Sequence, residues 1–299
     1  MPWGRRFLIN GSEQGVGMTD KITVIGPGTM GTGIAQAFLE AGFEVVLIGR
    51  SEDSLQRGLS TIKSRMEKAI AKGKMTQDEM DSVLERLKLS TDYDDGEEST
   101  AVIEAVSEVI EAKKEVFRLV EEHISGAIIA TNTSSIPISE LSEALSDRSG
   151  FIGMHFFNPV PVMKPVEVII GKDTSEATRD AAIKLIERCG KVPIAVNDYP
   201  GFVANSVLMP MLNEAIILLE KGVATKEGID TIIKLGLNHP MGPLELADYI
   251  GLDVCKDIMD SIYRETKDEK FKPAKMLNDL VSEGKLGRKS GEGFYSYKK

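Results

Sequence analysis

The run Lys21-Ile22-Thr23-Val24-Ile25-Gly26-Pro27-Gly28-Thr29-Met30-Gly31-Thr32-Gly33-Ile34-Ala35 reads as a short β-branched strand, a glycine-rich turn and the start of a small-residue helix. Gly26 permits the tight turn, Gly28 lets the backbone approach a pyrophosphate, and Gly31 lets helix and strand lie close. The turn through Thr29, Met30 and Gly31 then aims helix N–H groups at the phosphates. Alone, G-x-G-x-x-G is weak, because glycine-rich turns that bind nothing arise by chance. Here an apolar strand precedes it and a second strand, Glu44 to Ile48, follows at βαβ distance. The expected fold class is α/β, a Rossmann-type mostly parallel sheet that binds a dinucleotide.

After Ile48 come Gly49-Arg50-Ser51, where an NAD-binding βαβ unit usually places an acid to accept from the ribose hydroxyls. Here that acid is absent. A glycine opens space and Arg50 with Ser51 can hold a 2′-phosphate, so NADP stands beside NAD as a candidate cofactor. The alternative is that Arg50 is merely solvated and Glu52 or Asp53 does the acid's work. Leu55, Leu59, Ile62, Met66 and Ile70 form the stripe of an amphipathic helix over 52–72. From Arg50 to Lys74 seven positive residues stand against three negative ones, within a chain of net charge −10. Such local basicity suits an anionic ligand or a solvated face. Thr76 and Glu79 form a capping box that opens a second helix with Val83, Leu84 and Leu87 as its apolar positions, making a helical hairpin over 52–88.

From Thr100 strands and helices alternate again: Ala101 to Val106, a helix around Lys113 to His123, Ala127 to Thr131, a short helix near Glu140, and Phe151 to Met154. Val162 to Ile170, a helix from Ser175 to Cys189, and Val192 to Val196 extend the sheet. At Asp198-Tyr199-Pro200-Gly201 the texture changes, and from Phe202 to about Ser282 the chain reads as helices. The expected division is a loose tail over 1–17, with Met18 an alternative start, a dinucleotide-binding domain over 18–200, and an all-helical substrate and dimerisation domain over 201–299. Segments such as Ala215-Ile216-Ile217-Leu218-Leu219 are more apolar than a one-sided surface helix requires, so a homodimer is expected. The negative charge argues against nucleic-acid or anionic-membrane binding, and no apolar run approaches a membrane span. Cys189 and Cys255 lack metal-ligand spacing and read as buried thiols of a reducing, cytoplasmic compartment; no metal is expected.

Three histidines make the search for an acid–base group short. His123 reads as a solvated cation at a helix C-terminus, and His239 belongs to a turn. His155 follows the strand Phe151 to Met154 and should emerge at the carboxyl edge of the sheet, where ligands of such folds bind. Glu167 interrupts the apolar run Val166 to Ile170, and a buried carboxylate needs a partner. His155 is the economical one, as a general base oriented by a carboxylate; the bland alternative is a Glu on an exposed edge strand. The cluster Thr131-Asn132-Thr133-Ser134-Ser135 reaches the same edge and suits hydrogen bonding to a substrate oxygen, since no hydrolase elbow surrounds its serines.

These motifs, with Ile103-Glu104-Ala105-Val106-Ser107-Glu108, Gly153-Met154-His155-Phe156-Phe157-Asn158-Pro159, Pro200-Gly201-Phe202 and His239-Pro240-Met241-Gly242-Pro243, occur in one order from about Lys21 to Tyr297. In this the chain resembles the 3-hydroxyacyl-CoA dehydrogenases, especially their short bacterial 3-hydroxybutyryl-CoA type. The resemblance implies an NAD(P)-dependent oxidoreductase of fatty-acid and butanoate metabolism that interconverts a short 3-hydroxyacyl-CoA and the 3-oxoacyl-CoA. It implies His155 as base paired with Glu167, and Ser134 and Asn205 as hydrogen-bond partners of the substrate oxygen or the histidine. It implies cofactor contacts at Glu108, Lys113, Ser134, Asn158 and Lys289, and a lysine near the CoA nucleotide at Lys72. Two positions depart from the family: its ribose-binding Asp is Gly49, and the Arg after its catalytic Asn is Ser206. The rivals are another two-domain hydroxyacid dehydrogenase, with a lysine base in the helical domain, and a non-catalytic dinucleotide-binding relative.

Overall fold

A computed structural model describes residues 21–297; the tail over 1–17 lies outside the described residues. Eight strands form one sheet in the order β3-β2-β1-β4-β5-β6-β7-β8. They are β1 (Lys21–Ile25), β2 (Glu44–Ile48), β3 (Leu87–Ser90), β4 (Ala101–Glu104), β5 (Ile128–Thr131), β6 (Phe151–Phe156), β7 (Pro165–Ile170) and β8 (Val192–Asn197). The first six run parallel. β7 pairs antiparallel to β6, and β8 parallel to β7. The reversal follows from the connection: residues 157–164 are too few to carry a crossover helix back to the start of the sheet.

Helices cover both faces of the sheet. α1 (Thr29–Glu40), α2 (Glu52–Ala71), α3 (Gln77–Leu84) and a later helix over Glu176–Arg188 bury Ile34, Phe38, Leu55, Ile62, Met80 and Leu185 against one face. The opposite face takes α4 (Ile110–His123) and α5 (Ile138–Leu141), through Val116, Phe117, Val120 and Ile138. With the helix over Glu176–Arg188 numbered α6, five more follow: α7 (Ala204–Glu220), α8 (Lys226–Gly236), α9 (Pro243–Ile250), α10 (Leu252–Thr266) and α11 (Lys275–Ser282). These build a second apolar core around Leu212, Ile216, Leu244, Met259 and Phe271.

Local chemistry sets many element ends. Ser51 caps α2 by accepting from the Ser54 N–H, and both halves of the Thr76–Glu79 capping box are present at α3. The hairpin expected over 52–88 is shorter than its apolar spacing suggested. α3 stops at Leu84, and Leu87 begins the edge strand β3, paired opposite Val45. Leu87 fits a helical stripe after Val83 and Leu84 as well as a strand, and only pairing with β2 separates the two. β6 likewise runs on to Phe156, so His155 lies inside the strand rather than beyond it.

Candidate active site

The carboxyl ends of the central strands and the first turns of α7 open into one cavity of about 1140 Å³. The glycine-rich turn forms one wall. Gly26 adopts φ +106°, and a Cβ there would meet the Ala105 carbonyl oxygen at 2.7 Å; a Cβ on Gly31 would fall 1.8 Å from the Gly26 carbonyl oxygen. Both positions therefore require glycine. A Cβ on Gly28 would meet nothing within 4 Å, so the backbone at the start of α1 stands open to an approaching phosphate. Thr29 and Met30 line the same wall, and Gly49 and Arg50 extend it past β2. This cradle fits a dinucleotide.

His155 lies across the cavity. On β6 it stands in register with Glu167 on β7, and its Nδ1 is 2.7 Å from Glu167 Oε2, both side chains being buried. The other carboxylate oxygen accepts from the Val203 and Ala204 N–H groups at 3.0 Å each. These belong to the start of α7, which has no side-chain cap of its own, so a strand of the sheet caps the first helix of the helical domain. Burial pushes the Glu167 carboxyl up, but the bonds from His155, Ala204 and Val203 outweigh it and hold the group below the usual carboxylate range. The carboxylate accepts from Nδ1–H, leaving Nε2 as the ring nitrogen free for a substrate. Phe157 and Phe202 flank the ring at centroid distances of 4.9 and 5.7 Å.

Ser134 and Asn205 line the cavity beside His155 and are joined to each other, the Asn205 amide donating to the Ser134 carbonyl at 3.0 Å. Glu108 organises the serine loop. Its Oε1 accepts from the Thr133 hydroxyl at 2.6 Å and the Ser134 N–H at 2.8 Å, and its Oε2 lies 3.1 Å from Lys113 Nζ. Burial raises the Glu108 carboxyl, while Lys113 and these hydrogen bonds more than compensate and leave it lowered. Asn132, through its Oδ1, holds the Phe156 N–H at 2.9 Å and so ties the loop to β6. Asn158 also lines the cavity.

Three residues carried over by resemblance sit elsewhere. Lys113 is fully buried, its ammonium bonded to Glu104 at 2.8 Å as well as to Glu108, so it does not line the cavity and reaches a ligand only through Glu108. Lys289 binds Asp253 at 2.5 Å and is likewise absent from the lining. Lys72 ends α2, whose other end meets the cavity at Ser54 and Arg57, roughly 22 to 27 Å away along the helix. The departure at Ser206 has a local role: its hydroxyl donates to the Pro200 carbonyl at 3.0 Å.

Sequence reading gave no role to Glu104, which accepts from Lys113, the Thr131 hydroxyl and the Val106 N–H. The signal was available, because Glu104 ends an apolar strand as Glu167 interrupts one. His123 lies in the last turn of α4, partly exposed as expected of a solvated cation, and its ring is 2.6 Å from the exposed Asp94, which raises its pKa. Ser54 and Arg57 also line the cavity, although nothing had distinguished them from the rest of a basic helix.

The N-terminal family model, described as "3-hydroxyacyl-CoA dehydrogenase, NAD binding domain", matches residues 21–199, and the "3-hydroxyacyl-CoA dehydrogenase, C-terminal domain" matches residues 201–297. A Deinococcus radiodurans protein named "Probable 3-hydroxybutyryl-CoA dehydrogenase" is 47% identical over 93% of this chain and 100% of its own. The 3-hydroxybutyryl-CoA dehydrogenase of Clostridioides difficile is 44% identical, again over 93% and 100%. The crystal structure of (S)-3-hydroxybutyryl-CoA dehydrogenase from Ralstonia eutropha superposes with a TM-score of 0.91 at 44% identity, covering 94% of this chain and 100% of that one. The glycine cradle, the sheet-edge cavity and the two matched domains together make this chain a member of the 3-hydroxyacyl-CoA dehydrogenase family.

Proposed function

We propose that this oxidoreductase interconverts 3-hydroxybutyryl-CoA and acetoacetyl-CoA in fatty-acid or butanoate metabolism, with His155 as the acid–base group. The observation that carries the reading is that the His155–Glu167 pair and the glycine cradle open into one cavity. A bound nicotinamide dinucleotide supplies the hydride acceptor or donor. Nε2 of His155 takes the proton from the 3-hydroxyl during oxidation and returns it during reduction, and the anionic Glu167 stabilises the imidazolium between those events. Ser134 and Asn205 position the reacting oxygen, and Glu108 and Lys113 hold the loop that presents Ser134. No lysine lines the cavity among the described residues, which disfavours a hydroxyacid dehydrogenase with a lysine base.

The CoA nucleotide is assigned to the basic outer face of α2 that ends at Lys72. A homodimer is assigned to the helical domain, where Val207, Ile232, Leu235 and Leu237 are each more than 60% exposed. No helix among the described residues is long and apolar enough to cross a membrane, and the buried free thiols Cys189 and Cys255 suit a reducing cytoplasm. Initial rates of acetoacetyl-CoA reduction with NADH and with NADPH test the activity. No turnover with either nucleotide would overturn it.

A further inference from the structure

We infer that Arg50, Ser54 and Arg57 form a subsite for the 2′-phosphate of NADP, so that this chain takes NADPH in preference to NADH. The inference deepens the dehydrogenase reading above and rests on it for the nicotinamide chemistry.

At the carboxyl end of β2, Gly49 lines the cavity where a carboxylate would otherwise accept from the ribose. The space is tight: a Cβ at this position would approach the Leu55 and Pro27 side chains at 3.0 Å, so a larger residue here needs them to give way slightly. Glu52 and Asp53 are exposed in the first turn of α2 but do not line the cavity, so the lining at this end carries Arg50 and no acid. Among the described residues Glu108 is the only carboxylate lining it, and that group is committed to Lys113 and the Thr133–Ser135 loop. Among the described residues, no carboxylate at the β2 end lines the cavity itself.

The attractive side is also present. Arg50 and Arg57 both line the cavity, are exposed, and have no ion-pair partner among the described residues. Two free guanidinium groups offer paired, charge-assisted donors to a dianionic phosphate. Ser54 also lines the cavity, between them in sequence; its hydroxyl donates to the Ser51 carbonyl at 2.7 Å and would have to turn from that bond to reach a phosphate, so the two arginines are the principal donors. The N-terminal end of this 20-residue helix adds a favourable field. Specificity is thus set by removal of a repulsive group and addition of two attractive ones.

CoA carries a 3′-phosphorylated adenosine, so the test must separate two sources of the same phosphate chemistry. Binding of adenosine 2′,5′-bisphosphate, adenosine 3′,5′-bisphosphate and 5′-AMP is measured by calorimetry on the full chain without acyl-CoA. The 2′,5′-bisphosphate should bind about tenfold or more tightly than either of the others. Arg50→Ala with Arg57→Ala should erase that advantage while leaving 5′-AMP binding nearly unchanged. Gly49→Asp should also shift preference away from the 2′-phosphate, though its Cβ crowds Leu55; the arginine variants carry the test if it fails to fold. Equal binding of the 2′,5′-bisphosphate and 5′-AMP would overturn the subsite. A preference for the 3′,5′-bisphosphate lost in the arginine variants would overturn it too, by assigning the arginines to CoA. Because nucleotide binding is read without turnover, this result stands apart from the catalytic assignment.

Discussion

His155 and Glu167 face each other across the antiparallel pair β6 and β7, with Nδ1 and Oε2 2.7 Å apart. Antiparallel register is what puts two residues twelve apart in sequence directly opposite one another on adjacent strands. The same carboxylate caps α7 through Val203 and Ala204, so the group that orients the imidazole also joins the sheet to the helical domain.

Replacing the base isolates the chemical step. His155→Gln should lower kcat by about 10²- to 10⁴-fold while the dissociation constant of the nicotinamide nucleotide barely changes. Stopped-flow rates beside a fluorescence titration check this, and near-normal turnover would remove His155 from the mechanism.

Glu167→Gln should reduce kcat and move the pH–rate profile, because a neutral amide stabilises the imidazolium less than a carboxylate does. It should also alter acid stability. The folded-state carboxyl is held low, so its stabilising contribution is complete above the ordinary range, about 4.3, and is lost as pH falls through the lower folded value. Urea unfolding should therefore show parent and variant converging in acid and separated at neutral pH. A constant separation at all pH values would contradict the pairing.

Lys113→Met removes the cation from between Glu104 and Glu108. Lys113 and Glu104 are each 1% exposed, and a buried ion pair broken on one side costs about 3–5 kcal/mol. The melting temperature should drop sharply. A change within the error of calorimetry would mean the two carboxylates find other partners.

Lys72→Ala should raise KM for acetoacetyl-CoA, more at low salt than at high, if the outer face of α2 reads CoA phosphates. Acetoacetyl-pantetheine, which lacks those phosphates, should be used equally well by both proteins. An equal loss with the truncated thioester would remove Lys72 from nucleotide recognition.

Much of the architecture was legible because its determinants are local. The glycine turn, the apolar strands around it, the Thr76–Glu79 capping box and the texture change at Pro200 each lie within a few residues of what they specify. Glu167 was legible as a buried carboxylate for the same reason, since a charge inside an apolar run demands a partner wherever it goes.

The sequence by itself determined a dinucleotide cradle, a sheet that carries it, a helical second half and a short catalogue of acid–base groups. Tertiary structure alone decided what these groups meet. It reversed β7 and β8, made Leu87 a strand residue, buried Lys113 between two carboxylates and turned Lys289 toward Asp253. It also kept Glu52 and Asp53 out of the cavity lining while Arg50 and Arg57 line it. The physical reason is that each of these outcomes depends on packing or pairing with another element. Local periodicity records which faces are apolar, but not which partner covers them or which charges the fold brings within reach.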